Sequence, residues 1–252
     1  IHALHEIVAK ADLVYASTGP LGQQLLKLAK PRRLVSGRIY AAGEPDRTAG
    51  PAPEGLPPKQ PGEIRIGYMG SRSHVSDLEM IRPSVLAVLE AFPQASFHLF
   101  GSIAEAPATR AFGASVTAVR RVRGSYADFR AALNSMEWDI GLAPLRPLAF
   151  NDCKAPTKCI EYFEAGCAAI ASAGVVYDPL AARGAILAVQ PHEWLDALTK
   201  LVAEPARRAE LALAGQALLR TEFSWARLER QVLDVIALAC GKAAMPAGEN
   251  VI

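Results

Sequence analysis

A doubly wound parallel α/β sheet with helices on both faces is the fold class this sequence predicts. Three observations predict it. After residue 62, short apolar runs of strand type alternate with stretches of helical period, the pattern of repeated βαβ units. Runs such as Ile64–Met69 and Trp138–Ala143 stop at Gly70 and Pro144, as strands feeding loops do. A chain of 252 residues that is 51% hydrophobic and 21% charged can also bury both faces of such a sheet. Right-handed crossovers then make the doubly wound arrangement the natural outcome.

The elements follow in order. Ile1–Lys10 is amphipathic, Leu13–Ala16 is a brief strand, Gly19-Pro20 opens a helix through Leu28, and Leu34–Val35 is a second short strand. Forty residues of this kind are too few for an independent core and read as the end of a larger α/β domain. Residues 41–62 hold six prolines and four glycines in 22 positions, which marks a linker. Then IRIGYM (Ile64–Met69) is a strand. Ser76-Asp77-Leu78-Glu79 fits a capping box that opens a helix to about Phe92, with Pro83 tolerated only near its start. Phe97–Phe100 and Val116–Val119 are strands, Tyr126–Met136 a helix and Trp138–Ala143 a strand. Pro156–Ala165 is a helix ended by Gly166, a residue suited to the left-handed position after a last turn. Ala168–Ser172 and Ile186–Val189 are the last strands, and three helices run from Pro191 to about Cys240. The expected division is thus 1–40, the end of a preceding domain; 41–62, a linker; 63–222, the principal domain; and 223–252, a C-terminal helix and tail.

Composition narrows the function. A net charge of +2 argues against a dedicated nucleic-acid surface, and no apolar run approaches the roughly 18–20 residues a membrane helix needs. The four cysteines (Cys153, Cys159, Cys167, Cys240) form no CxxC pair and read as reduced thiols of a cytoplasmic protein. The first residue is Ile1, so a preceding segment is expected. The histidines show no metal-ligand spacing. No G-x-G-x-x-G follows the first strand of the principal domain, and no P-loop occurs, which argues against other nucleotide-binding enzymes of similar fold.

Ligands on such sheets bind beyond the carboxyl ends of the strands, where the strand order reverses. The loops to inspect are Gly70–Ser76, Gly101–Gly113, Arg120–Ser125 and Pro144–Pro156. The richest stretch is Asp139–Ser172. Its helix starts near Pro156 and Thr157 with Lys154 and Lys158 around the first turn, so free N–H groups, the helix dipole and two cations make an anion site. Glu161, one turn on, is a candidate acceptor for sugar or ribose hydroxyls. The plain alternative is a solvated helix with surface lysines. His74 reads as a surface histidine or a phosphate donor. Cys153 beside Lys154 has the form of an activated thiol but lacks a spaced His or Asp partner. Arg120, Arg121 and Arg123 read as a solvated edge close to the switch point, and Trp138 and Trp225 as core residues.

The stretch DIGLAPLRPLAFNDCKAPTKCIEYFEAGCAAIAS resembles the donor-binding motif of the group-1 family of retaining glycosyltransferases, with its strand DIGLxPL, helix KxxEYxAxG and strand VVAS. Ile64–Arg72 (IRIGYMGSR) is similar to the family's first C-terminal strand and glycine loop. Arg123-Gly124-Ser125-Tyr126 resembles the segment near the nucleotide base, Phe223-Ser224-Trp225 the opening of the final helix, and Ala11–Thr18 (ADLVYAST) the last strand of the N-terminal domain. The resemblance implies the GT-B fold, two Rossmann-like domains facing across a cleft, with this chain supplying the C-terminal nucleotide-sugar-binding half. It implies that Glu161 holds the ribose hydroxyls and that Arg72, Lys154 and Lys158 act on the donor diphosphate. Gly70, Ser71, Gly124, Ser125, Pro156 and Thr157 fall at the other donor-binding positions.

The resemblance further implies a nucleotide-diphosphate sugar as donor substrate, no cofactor or metal, and a glycan or lipid-linked acceptor in cell-surface polysaccharide synthesis. The place would be the cytoplasm or, within it, the inner face of the membrane, with peripheral contact through the missing domain. By the same reasoning the chain alone would bind donor without turning it over. Two departures stand out. Cys153 occupies the position eight residues before Glu161, where the family carries its first glutamate. The lysine that follows the family's loop arginine is absent, with His74, Ser76 and Asp77 nearby instead. The first departure motivates an alternative reading, a non-catalytic nucleotide-sugar-binding or scaffolding module of the same fold.

Overall fold

The computed structural model describes residues 2–38, 50–119 and 124–242. The chain opens with α1 (His2–Lys10), β1 (Val14–Ala16), α2 (Gly19–Ala29) and β2 (Leu34–Ser36), the two strands pairing in parallel. Thr18 caps α2: its hydroxyl accepts the Leu21 N–H at 3.2 Å, and Pro20 in the first turn needs no acceptor for its nitrogen. The chain continues with β3 (Ile64–Met69), α3 (Val75–Ala91), β4 (Ala95–Phe100), β5 (Val116–Val119), α4 (Tyr126–Ser135), β6 (Ile140–Ala143) and α5 (Ala149–Asp152). It is completed by α6 (Thr157–Ala165), β7 (Ala168–Ser172), α7 (Asp178–Ala181), β8 (Ile186–Val189), α8 (Trp194–Ala203) and α9 (Pro205–Glu222), and α10 (Trp225–Ala239) ends the described chain.

Strands β3 to β8 form one all-parallel sheet in the order β5-β4-β3-β6-β7-β8. This is the doubly wound order, and it reverses between β3 and β6. Both faces are buried, as an all-parallel sheet requires. Ile66, Tyr68, Phe97, Leu99, Ile140 and Leu142 pack toward α3 and α8. Met69, Phe100, Ala143, Ala169 and Ala171 pack on the other face, where α4, α6 and α9 lie. On that second face Gly67 of β3 and Gly141 of β6 stand opposite one another in register. A Cβ on Gly67 would run into the Trp138 indole, and one on Gly141 would come within 2.5 Å of the Tyr162 ring. The two rings fill this trough edge to face, with centroids 6.2 Å apart.

At the amino ends of the strands a polar cluster ties the preceding segment to the sheet. The Arg65 guanidinium, 1% exposed, donates to the carbonyls of Met136 and Pro57 and to Glu63. Lys59 donates to Glu137 O and to Asp139, whose carboxylate also takes the Arg65 N–H. His98, fully buried, meets the Ser96 hydroxyl at 3.1 Å, and that hydroxyl donates to Glu63.

Three local expectations are corrected. Ser76 forms no capping box: α3 begins at Val75 behind a 3-10 turn (Arg72–His74), with no side-chain cap. Pro83 lies well inside α3, where it is exposed. The carbonyl it leaves unbonded belongs to Glu79, also on the exposed face, so water can satisfy it. The strand expected from Trp138 begins at Ile140, because Trp138 turns its ring beneath Gly67 and Asp139 spends its side chain on Arg65 and Lys59.

Helix α10 returns to the first elements. Arg33 donates to the carbonyls of Leu238 and Ala239 at its carboxyl end and to Asp12 O. Arg38 pairs with Glu222, and Gln231 bonds Tyr15 and the Arg38 carbonyl. Trp225, expected in the core, is 57% exposed, since it sits at the first turn of α10 on the outer face.

Candidate functional site

The strand reversal places the loop after β3 beside the loop after β6. The second loop is built around one buried carboxylate. Asp77, at the start of α3 and 3% exposed, accepts from His74 Nδ1 at 2.8 Å and from the Arg146 N–H at 2.9 Å. Asn151, also buried, donates to the Arg146 carbonyl at 2.8 Å and lies 3.5 Å from Asp77. Burial alone would raise the Asp77 pKa. The bonds from His74 and Arg146 and the charges of His74 and Lys154 outweigh it and hold the carboxyl below its ordinary value.

Helix α6 starts at this loop. Pro156 caps it with its carbonyl, which accepts from Cys159 and Ile160, so the N–H groups of Thr157 and Lys158 lie ahead of the first intrahelical bond. The Lys158 ammonium stands 5.7 Å from the Tyr68 ring centroid, and Lys154 stands 5.3 Å from that of Phe150. Burial lowers the pKa of both lysines, with Asp77 acting the other way on each. Behind Lys158 the buried Tyr68 hydroxyl has no hydrogen-bond partner. Glu161, one turn further along α6, accepts from the Tyr126 hydroxyl at 3.1 Å. Burial pushes its carboxyl up to about 7, against the opposing pull of Tyr126 and Lys158.

The expected residues thus divide. Lys154, Lys158, Glu161, Pro156 and Thr157 share the start of α6 with Asp77 and Tyr68. Gly70 lies at the carboxyl end of β3, its N–H on the Phe100 carbonyl and its own carbonyl on the Ile103 N–H. Gly101 passes it so closely, at φ 98°, that a Cβ there would come within 2.8 Å of the Gly70 oxygen. The Ser71 hydroxyl meets that of Ser73 at 2.7 Å, and its carbonyl accepts the His74 N–H. Arg72 is exposed and pairs with Glu105 at 2.9 Å. Gly124 and Ser125 open α4. Ser125 and Asp128 form a reciprocal capping box, and a Cβ on Gly124 (φ 150°) would run into the Asp128 carboxylate. Arg120, Arg121 and Arg123 lie outside the described residues.

Cys153 is half-buried, and burial and Asp152 push its thiol up, the opposite of what an activated nucleophile needs. Its carbonyl, not its sulfur, makes the notable contact, accepting the Thr18 hydroxyl at 2.9 Å. All four cysteines are free thiols. An open cleft of about 540 Å³ lies between the start of α2 (Gly19, Gln23) and the α5 loop (Ala149, Cys153). Sequence reasoning gives Asp77 as part of a helix cap and a neighbour of the absent loop lysine, and Tyr126 as the start of a helix and the end of a four-residue motif, but neither with its partner. Their partners are distant in the chain, and no local pattern announces them.

No family model matches the sequence, and no curated protein is significantly similar to it. Among the described residues no helix is long and apolar enough to cross a membrane. Solved structures do share the fold. Sucrose-phosphate synthase from Thermosynechococcus elongatus superposes with a TM-score of 0.62 at 17% identity, over 96% of this chain and 62% of the enzyme. The Anabaena protein HepE, solved with UDP and glucose, gives 0.67 at 12%, over 94% of this chain and 66% of HepE. A glycosyltransferase from Rickettsia africae gives 0.66 at 13%, over 96% and 68%. The chain therefore spans less than two thirds of the length of the first two. At these identities the likeness establishes the architecture: this chain has the Rossmann-like fold found in the C-terminal half of GT-B glycosyltransferases.

Proposed function

We propose that the chain is the donor-binding part of a glycosyltransferase that takes a sugar from a nucleotide-diphosphate sugar. The observation that carries this reading is the start of α6 at the strand reversal. There the half-buried Lys158, the helix N–H groups and Lys154 can receive a diphosphate, while Glu161 waits one turn away for a vicinal diol. In the transfer, the bond from sugar C1 to the diphosphate oxygen breaks. A bond from C1 to an acceptor oxygen forms, and the acceptor's proton departs. Charge builds on the leaving diphosphate, so fixed cations there stabilise the transition state more than the ground state. Lys158, Lys154 and the α6 N–H groups supply that charge without a metal, and Arg72 joins them if Glu105 releases it. Gly70 and Ser71 at the end of β3 and Gly124 and Ser125 at the start of α4 line the nucleotide side.

The reading extends to a retaining reaction, a glycan or lipid-linked acceptor and a cytoplasmic setting, with acceptor contacts on the far side of the cleft at α2. The non-catalytic alternative keeps the same donor site, and Cys153 at the position of the family's first glutamate favours it. A thermal-shift titration with UDP, GDP, ADP and dTDP tests the site. One nucleotide raises the melting temperature, by a free energy of roughly 2.7 kcal/mol at a hundredfold excess over Kd, and Glu161→Gln weakens the effect. No shift with any of them overturns the proposal.

A further inference from the structure

Helices α4 and α6 face each other across two polar rungs. Arg130 of α4 pairs with Glu164 of α6, whose side chain is 3% exposed, and one turn earlier Tyr126 donates to Glu161. Three features hold Tyr126 in place. It is the first residue of α4, directly behind the Ser125–Asp128 capping box. Its ring stacks on Phe129 with centroids 5.8 Å apart, and Phe129 stacks on Phe100 of β4 at 5.6 Å. The Arg130–Glu164 pair, its carboxylate buried and its guanidinium partly so, ties the two helices together below it.

A carboxylate that must accept two hydroxyls of a diol works best when its plane is set before the ligand arrives. Here one oxygen of Glu161 is already committed to the phenol. We infer that Tyr126 is the positioning residue for Glu161: its hydroxyl fixes Oε1 and leaves Oε2, with the remaining lone pair of Oε1, for the diol of a bound nucleotide. This rests on the donor-site reading above. The groups that act on Glu161 are Lys158 on its own helix and Tyr126 on α4; Arg130 acts on Tyr126, and the buried Tyr177 before α7 feels the Glu161 charge. Of these, only Tyr126 donates a hydrogen bond to the carboxylate. Because that bond favours the ionised form, losing it raises the pH at which Glu161 gives up its proton.

The test uses the full chain and its Tyr126→Phe and Glu161→Gln variants. Carboxyl carbon-13 shifts are followed against pH without ligand, with Glu161→Gln assigning the signal. Nucleotide Kd is then measured by calorimetry from pH 5.5 to 8.5 with UDP, GDP, ADP and dTDP. In Tyr126→Phe the Glu161 midpoint rises by roughly one unit. Nucleotide binding weakens about fivefold near pH 7 and recovers toward pH 8.5. An unchanged midpoint overturns the inference whether or not nucleotides bind. Tighter binding by Tyr126→Phe also overturns it, since the phenol would then be a competitor for the diol. A shifted midpoint in a protein that binds no nucleotide overturns the donor-site reading and the diol role with it, while the Tyr126–Glu161 bond itself stands.

Discussion

The Thr18 hydroxyl donates to the Cys153 carbonyl across 135 residues of chain, while accepting the Leu21 N–H at the start of α2. One side chain therefore caps a helix of the first elements and holds the loop that carries Lys154. Thr18→Val removes both bonds. Urea unfolding should show a loss of about 1–2 kcal/mol, with Thr18→Ser restoring most of it. Amide exchange in the α5 loop should quicken in the valine variant alone.

Lys158 separates binding from stability. Its ammonium is partly desolvated beside Tyr68, so Lys158→Met should leave the melting temperature unchanged or raise it. Nucleoside diphosphate affinity should fall by about 1.5–3 kcal/mol, the worth of a hydrogen bond from a charged donor. Calorimetric titration beside a thermal melt reads both.

Acid should weaken the protein from near neutrality. Burial holds His98 down at about 4, and the bonds to Glu63 hold that carboxyl at about 2 against its partial burial. The unfolded chain takes up the histidine proton near 6.5 and the folded one near 4, so this stability is whole above 6.5 and lost on the way down to 4. The loss from His98 is about 3 kcal/mol, and Glu63 continues it from about 4.5 toward 2. Urea midpoints at pH 7 and 4.5 should differ in the wild type and converge in His98→Gln.

The glycine trough should resist filling. Gly141→Ala pushes a methyl against the Tyr162 ring, whose hydroxyl is fixed by the Leu142 carbonyl at 2.7 Å and cannot swing away. Thermal unfolding should register a cost of about 1–3 kcal/mol, the usual range for an overfilled core.

The strands were legible because burial on both faces leaves a mark in the sequence itself: IRIGYM and the apolar run into Pro144 admit little else, and Gly166 stops α6 at φ 75°. The start of α6 could be read for the same reason, with Lys154, Lys158 and Glu161 close together in the chain. The Arg72–Glu105 pair, the Asp77 network and the Tyr126–Glu161 bond could not. Each depends on which helix faces which, and residues 126 and 161 meet only because α4 and α6 share one face of the sheet. Ser76 misled because a cap motif is local, whereas the 3-10 turn through His74 is set by Asp77 reaching across to Arg146.

The clamp of Arg33 on the end of α10 has a mechanical consequence. The segment around β1 and β2 and the last described helix are fastened to each other, as a strap is to its buckle. Tension drawing α10 away from the β1–β2 pair would load that buckle, across the Arg33 guanidinium and Gln231.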